Sequence, residues 1–203
     1  MPNSALLVMD IQRDIVAIAD DGSGYLTRLR RAIDGARAAD IPVIYVVIAL
    51  RPGNPDVSPH NRAVTSAVRA GLFTEGDHGT GIHDDVAPQQ GDIVVTKRRG
   101  SAFSGSDLDL VLRTRGIDSL VLTGIATSAV VLYTLCQAND MDFGLTVLHD
   151  ACLDTDPEAH DFLTEKLFPL WADVLTVDDW VKAVEAPPAP HPSRRAAPAR
   201  PAE

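Results

Sequence analysis

Cysteine is nearly absent: Cys136 and Cys152 are the only two in 203 residues. They fall in no C-x-x-C or Cys/His spacing, which argues against a disulfide framework and a zinc site, so both read as buried free thiols. Also missing is any apolar run near the roughly 20 residues that a membrane-spanning helix needs. The opening MPNSALLVMD has neither a basic start nor a cleavage signal, and the cytoplasm is the expected location. Cations are in short supply too, with 18 Lys and Arg against 28 Asp and Glu and a formal net charge of -10. Nucleic acids and anionic lipids reward clustered Lys and Arg, so small molecules or proteins are the expected partners, with no nucleic acid and no membrane. No internal repeat is found.

What remains is ordinary globular material, 45% hydrophobic and 23% charged. One domain is expected over residues 1–185. The segment from 186 to 203 (APPAPHPSRRAAPARPAE) is mostly Pro and Ala without an aliphatic anchor, and is expected to be a disordered or extended tail.

Six short apolar runs read as strands: 4–9 (SALLVM), 42–50 (PVIYVVIAL), 92–96 (DIVVT), 118–123 (DSLVLT), 144–148 (GLTVL) and 173–177 (DVLTV). Their near-continuous hydrophobicity suits strands buried on both faces of a parallel sheet. Helical patterns lie between them. Residues 25–39 repeat apolar positions at Leu26, Leu29, Ile33 and Ala36, 107–114 ends at a capping Gly116, and 128–139 follows the fourth strand. Pro157 opens a helix to Phe168, and 178–184 is a short closing one. Alternating strands and helices predict a doubly wound α/β fold, a six-stranded mainly parallel sheet with helices on both faces. Two irregular stretches, 51–61 and 76–91, are rich in Gly, Pro, Asp and His and are expected to border a site.

Asp10 and Lys97 stand at strand ends on the C-terminal edge, where open α/β sheets place ligands. Taken singly, each also has a structural reading as a turn or cap residue. Thr123 to Val131 (TGIATSAVV) runs from a strand through glycine into small residues and a helix start, a turn able to present backbone N–H groups as an oxyanion hole or simply to connect two elements.

Three segments carry a resemblance in combination: LLVMDIQRDI near the start, TKRRGSAF at 96–103 and LTGIATSAVVLYT at 122–134. In this order they resemble the signature segments of the isochorismatase-like, or cysteine hydrolase, family over about residues 4 to 180. The resemblance implies a doubly wound sheet, an Asp–Lys–Cys triad in most members, and hydrolysis of amides, or of a vinyl ether in isochorismatase itself. Asp10 matches the catalytic Asp, Lys97 the catalytic Lys, and Gln12 and Asp14 the accompanying polar positions. The nucleophile position, six residues after Gly124, is Val130. Val cannot attack a substrate, and Cys136 lies six residues further, roughly 9 Å along a helix axis.

The resemblance also implies a cis peptide at Ile125–Ala126, backbone groups of Ala126 and Val130 at an oxyanion site, and a homo-oligomer. Isochorismatase and its phenazine-pathway relatives also lack the cysteine, but this chain shares only that absence with them. Nicotinamidase-type relatives bind a metal after the second strand, where this chain offers only Asp56 and His60, so neither metal nor cofactor is expected. Gln12, Arg51, Phe103 and Tyr133 are the candidate substrate contacts, with Arg51 suited to a carboxylate; surface solvation or core packing are their plainer roles.

Burial raises an Asp pKa and a nearby ammonium lowers it, so Asp10 reads either as a proton donor or as a base that orients water. Three readings follow: a hydrolase acting through Asp10, Lys97 and a bound water; a silent binding protein that keeps the pocket; or a structural oligomer subunit. Retention of a costly buried Asp and Lys favours the first.

Overall fold

The computed structural model describes residues 3–19 and 22–186. Beyond Ala186 the expected tail lies outside the described residues.

Each expected strand forms: β1 (Ser4–Met9), β2 (Val43–Ile48), β3 (Ile93–Lys97), β4 (Ser119–Ile125), β5 (Gly144–Leu153) and β6 (Asp173–Leu175). All pair in parallel, in the order β3-β2-β1-β4-β5-β6. Strand β5 runs five residues past its expected end because its register against β4 shifts between Leu122 and Gly124, which brings Cys152 opposite Gly124. Gly124 sits at φ +155°, and a Cβ there would lie 2.6 Å from the Met9 carbonyl oxygen, so the close approach of β4 to β1 needs glycine.

Alternation along β1 divides the core. Ala5, Leu7 and Met9 pack on one side with α4 (Leu108–Thr114) and α5 (Leu132–Asp140). Leu6 and Val8 pack on the other with α2 (Tyr25–Ala38) and α7 (Val177–Glu185). Helices α2 and α7 approach closely because Gly35 offers no Cβ, which would otherwise fall 2.7 Å from Val181 Cγ2.

Three helical features differ from expectation. Helix α1 (Arg13–Ala19) begins three residues after Asp10, and α3 (Arg62–Arg69) is capped by the Asn61 side chain, which accepts the Val64 N–H at 3.1 Å. Both are short and carry mixed residues, so hydrophobic period alone did not reveal them. Helix α6 starts at Pro157 as expected but keeps α geometry only to Phe162; residues 163–167 open into a π turn and 168–170 tighten into a 3₁₀ turn around Pro169. Proline lacks the N–H needed to continue the α ladder.

In this strand order the chain leaves β1 toward β2 and leaves β4 toward β5, so the two connections diverge above the C-terminal ends of β1 and β4. That crevice is where a doubly wound sheet has room for a ligand. Among the described residues no helix is long and apolar enough to cross a membrane.

Candidate active site

Asp10 caps β1 with φ +58°, a left-handed turn that Asp tolerates better than most residues. Its N–H donates to the Val46 carbonyl at 2.8 Å, which fixes it to the neighbouring strand. Lys97 ends β3, two strands away. At about 4.8 Å per strand, this gap is roughly 10 Å, and only a long stem can cross it. Lys97 does so over the end of β2, donating from Nζ to Asp10 Oδ2 at 2.9 Å and to the Arg99 carbonyl at 2.8 Å. The side chains are 1% and 8% exposed for Lys97 and Asp10, so the pair is withdrawn from solvent. Asp10 Oδ1 is buried and has no hydrogen-bond partner. Burial, the dominant influence, raises the Asp10 pKa above the ordinary carboxylate value, while the Lys97 charge and hydrogen bond oppose it.

Above this pair opens a cavity of about 540 Å³. Its floor includes Asp10, Lys97 and Ile48, and its walls include Ile15 and Ile18 of α1, Val64 of α3, Phe73, Arg99 and the turn from Ile125 to Val130. Ala126 and Val130 line it, and the Ile125–Ala126 peptide is cis. Val130, 1% exposed, occupies the first turn before α5 and presents only methyl groups there.

That turn is a π turn over Thr127–Val131, held by side chains from beyond β5. Asp154 accepts the Ser128 N–H at 2.7 Å and the Asp156 N–H at 3.1 Å. Thr127 Oγ1 lies 2.8 Å from His160 Nδ1, and burial lowers the His160 pKa. Sequence reading missed both anchors, because the residues they join are separated by 26 and 33 positions.

The other expected contacts divide. Tyr133 is 58% exposed at the cavity rim, its ring in the space left by Gly100, where a Cβ would fall 2.8 Å from Tyr133 Cδ2. Gln12 is fully buried, but its amide is committed to backbone: Nε2 donates to Ile48 and Thr80 carbonyls, and Oε1 accepts the Ile48 N–H. It braces β1, β2 and the 78–82 segment and is not part of the cavity wall. Phe103 packs in the core against Phe143, ring centroids 6.0 Å apart. Arg51 is exposed, pairs with Asp56 and stands outside the cavity. Arg98 is likewise drawn away, to the Ala49 carbonyl and Glu75. Arg99 is instead the guanidinium in the wall.

Of the two irregular stretches only Asn61 reaches the cavity, while the segment between them supplies Ala63, Val64, Leu72 and Phe73. The 76–91 stretch packs against α1, with Arg13 paired to Asp84 at 2.5 Å. Among the described residues no three His, Cys, Asp or Glu side chains gather in a metal-binding group. Cys152 is buried, its thiol pKa pushed up to about 12 by desolvation, whereas Cys136 is exposed rather than buried and lines no cavity wall.

The pair makes a testable energetic statement. Lys97→Met is expected to cost about 3–5 kcal/mol at pH 8, because a buried carboxylate loses its partner. Asp10 already has a folded-state pKa above its unfolded value, so the folded protein binds the extra proton and this group's contribution declines as pH rises through the folded pKa. Removing Lys97 raises that value further, and the penalty should shrink at pH 5. Urea unfolding at both pH values measures it; equal losses would mean that the Asp10 charge is not the cause.

Comparison with known proteins gives the same frame. The Isochorismatase domain family matches residues 4–179. The ureidoacrylate amidohydrolase RutB of Stutzerimonas stutzeri (strain A1501) is 35% identical over 209 residues, covering 90% of this chain and 80% of that protein. A cysteine hydrolase structure from Pseudomonas syringae pv. phaseolicola 1448A superposes with a TM-score of 0.83 at 21% identity, covering 90% of this chain and 92% of the other. The N-carbamoylsarcosine amidase from Thermoplasma acidophilum gives a TM-score of 0.70 at 27% identity, over 88% of this chain and 98% of the other. The family match spans nearly the whole described fold, and the chain belongs to the isochorismatase family of hydrolases.

Proposed function

We propose that this chain hydrolyses a small acid, amide or vinyl ether through Asp10, Lys97 and a bound water, without a covalent enzyme intermediate. The observation that carries the reading is the Asp10 carboxyl itself: it lines the cavity with Oδ1 unpartnered, beside a nucleophile position filled by Val130. For an amide, Oδ1 takes a proton from water as the water oxygen bonds to the carbonyl carbon. The carbonyl electrons move onto oxygen, and the Ala126 and Val130 N–H groups are the candidate donors to that oxyanion, since the Ser128 N–H is engaged by Asp154 and those of Ala129 and Val131 by the Ala126 carbonyl. Collapse re-forms the carbonyl, breaks the C–N bond and returns the proton from Asp10 to the leaving nitrogen. Lys97 holds Oδ2 and keeps the ionised form of Asp10 accessible despite burial.

Two of the compared proteins are named for hydrolysis of ureido or carbamoyl compounds, which makes small amides and ureido acids the first panel to test, followed by vinyl ethers. Turnover is expected to survive iodoacetamide, and intact-protein mass spectra quenched during turnover should show no acyl adduct. An adduct on Cys136 or Cys152, or alkylation that abolishes turnover and is blocked by substrate, would refute the mechanism. Ligand binding without turnover across the whole panel would instead identify a binding protein, the reading that the absence of a thiol at Val130 also supports.

A further inference from the structure

The cavity is apolar over most of its wall, yet its charge is not balanced. Its fixed charges belong to Asp10, Lys97 and Arg99. Asp10 and Lys97 form a pair, so Arg99 leaves a positive charge in the pocket of a chain whose formal net charge is -10. No ion pair among the described residues includes Arg99: the nearby acid, Asp56, is engaged by Arg51, and Glu75 by Arg98. Among the described residues the guanidinium is steadied by neutral oxygens, with Nη1 donating to the Arg98 carbonyl at 2.6 Å and Nη2 to the Asp56 carbonyl at 2.7 Å. A guanidinium has five N–H donors, so positions remain free for an incoming acceptor.

We infer that Arg99 is the specificity-determining residue of this pocket and selects a small monoanion, a carboxylate carried on an apolar body. This deepens the proposed hydrolase reading, since it takes the same cavity as the substrate site. A planar carboxylate matches the guanidinium fork and neutralises the unbalanced charge, while Ile18, Val64, Leu72 and Phe73 favour hydrocarbon over a polar body. The volume of about 540 Å³ suits a ligand of that size. Anchoring the carboxylate at Arg99 leaves the rest of the molecule to extend over the floor, where Asp10 Oδ1 awaits a polar partner.

Titration calorimetry with a charge series on one body tests this without any turnover: 3-phenylpropionate, 3-phenylpropanol and 3-phenylpropylamine, with acetate as the anion lacking a body. The acid should bind wild type about tenfold or more tighter than the alcohol, as expected for a charge-assisted hydrogen-bonded contact. The amine should bind more weakly than the alcohol, and acetate more weakly than the acid. Arg99→Gln should lower acid affinity about tenfold and leave the alcohol within about twofold, while Arg99→Lys, which keeps the charge and loses the fork, should fall between. Arg113→Gln, which removes an exposed guanidinium of α4 outside the cavity, should keep the preference.

Equal binding of acid and alcohol by wild type would overturn the inference, as would no binding of the acid at millimolar concentration. Full retention of the preference in a folded Arg99→Gln protein, or its loss in Arg113→Gln, would do the same. The outcome is separable from the hydrolase reading. If the series fails while Asp10→Asn still abolishes turnover, only the anion preference falls; if the series holds and no substrate turns over, the hydrolase reading falls and the anion site stands.

Discussion

Replacing Asp10 with Asn should lower kcat by about 10² to 10⁴, the usual loss for a positioned acid or base. Asn keeps the size of the side chain, and its carbonyl oxygen can still accept from Lys97 Nζ, now 2.9 Å from Oδ2. What it lacks is a basic atom at the Oδ1 position, so the water is neither oriented nor deprotonated. The pH profile adds a second readout. If Asp10 acts as base, kcat/KM falls as pH drops through its pKa, and burial places that acid limb above the aqueous carboxylate value of about 4. Lys97→Met should move the limb to still higher pH, because it removes the charge that favours ionisation. Circular dichroism and a melting curve confirm that each variant is folded. A folded Asp10→Asn protein with unchanged kcat would exclude Asp10 from proton transfer in the limiting step.

How much of this site was legible in the sequence depends on where each residue's role originates. Strand runs such as LLVM and VIYVVI are buried on both faces, so hydrophobicity alone marked them and their C-terminal ends. Asp10 and Lys97 followed, because an ionisable residue directly after such a run must either pair or reach a ligand. Their proximity was expected from the resemblance to an Asp–Lys–Cys triad and not from spacing, because it depends on β3 and β1 flanking β2. Gln12 and Phe103 belong to the signature segments, but one brackets backbone and the other fills core; a segment resemblance does not separate framework from contact. For the guanidinium no periodic signal existed: β3 ends at Lys97, so strand alternation does not extend to Arg99, and the bend over residues 98–100 brings it into the wall. Arg51 was favoured for its place after β2, and the fold spends it on Asp56 instead. The contribution of α3 and Phe73 arises from the cap at Asn61 and from how the chain returns over the sheet, which no periodic pattern encodes.

Val130→Cys is expected to confer thiol-dependent amidase activity. Val130 lines the cavity, lies in the first turn of the helical segment after β4 and shares that cavity with Asp10 and Lys97. Exchanging its branched methyls for a thiol is close to volume-conserving, so the cost in stability should stay under about 1.5 kcal/mol. A helix start and a nearby ammonium both favour thiolate, and each should draw the introduced thiol below the ordinary cysteine pKa of about 8.5. Three observations should then appear together. Iodoacetamide should label the introduced thiol faster than Cys136, whose pKa is raised by partial desolvation and by the nearby Asp140 charge. Small amides should yield an acyl adduct detectable by mass spectrometry. Turnover should rise at least about tenfold over wild type and vanish on alkylation, in contrast to the alkylation-resistant parent. Adding Asp10→Asn should abolish the gain, because the thiol still needs a proton acceptor and donor when the leaving nitrogen departs. A thiol that labels rapidly yet forms no acyl adduct would show that the cavity no longer places an amide carbonyl against this position. In that event the water-based chemistry proposed for Asp10 and Lys97 would lose its geometric basis for amides and keep it only for substrates attacked elsewhere, such as a vinyl ether protonated at carbon.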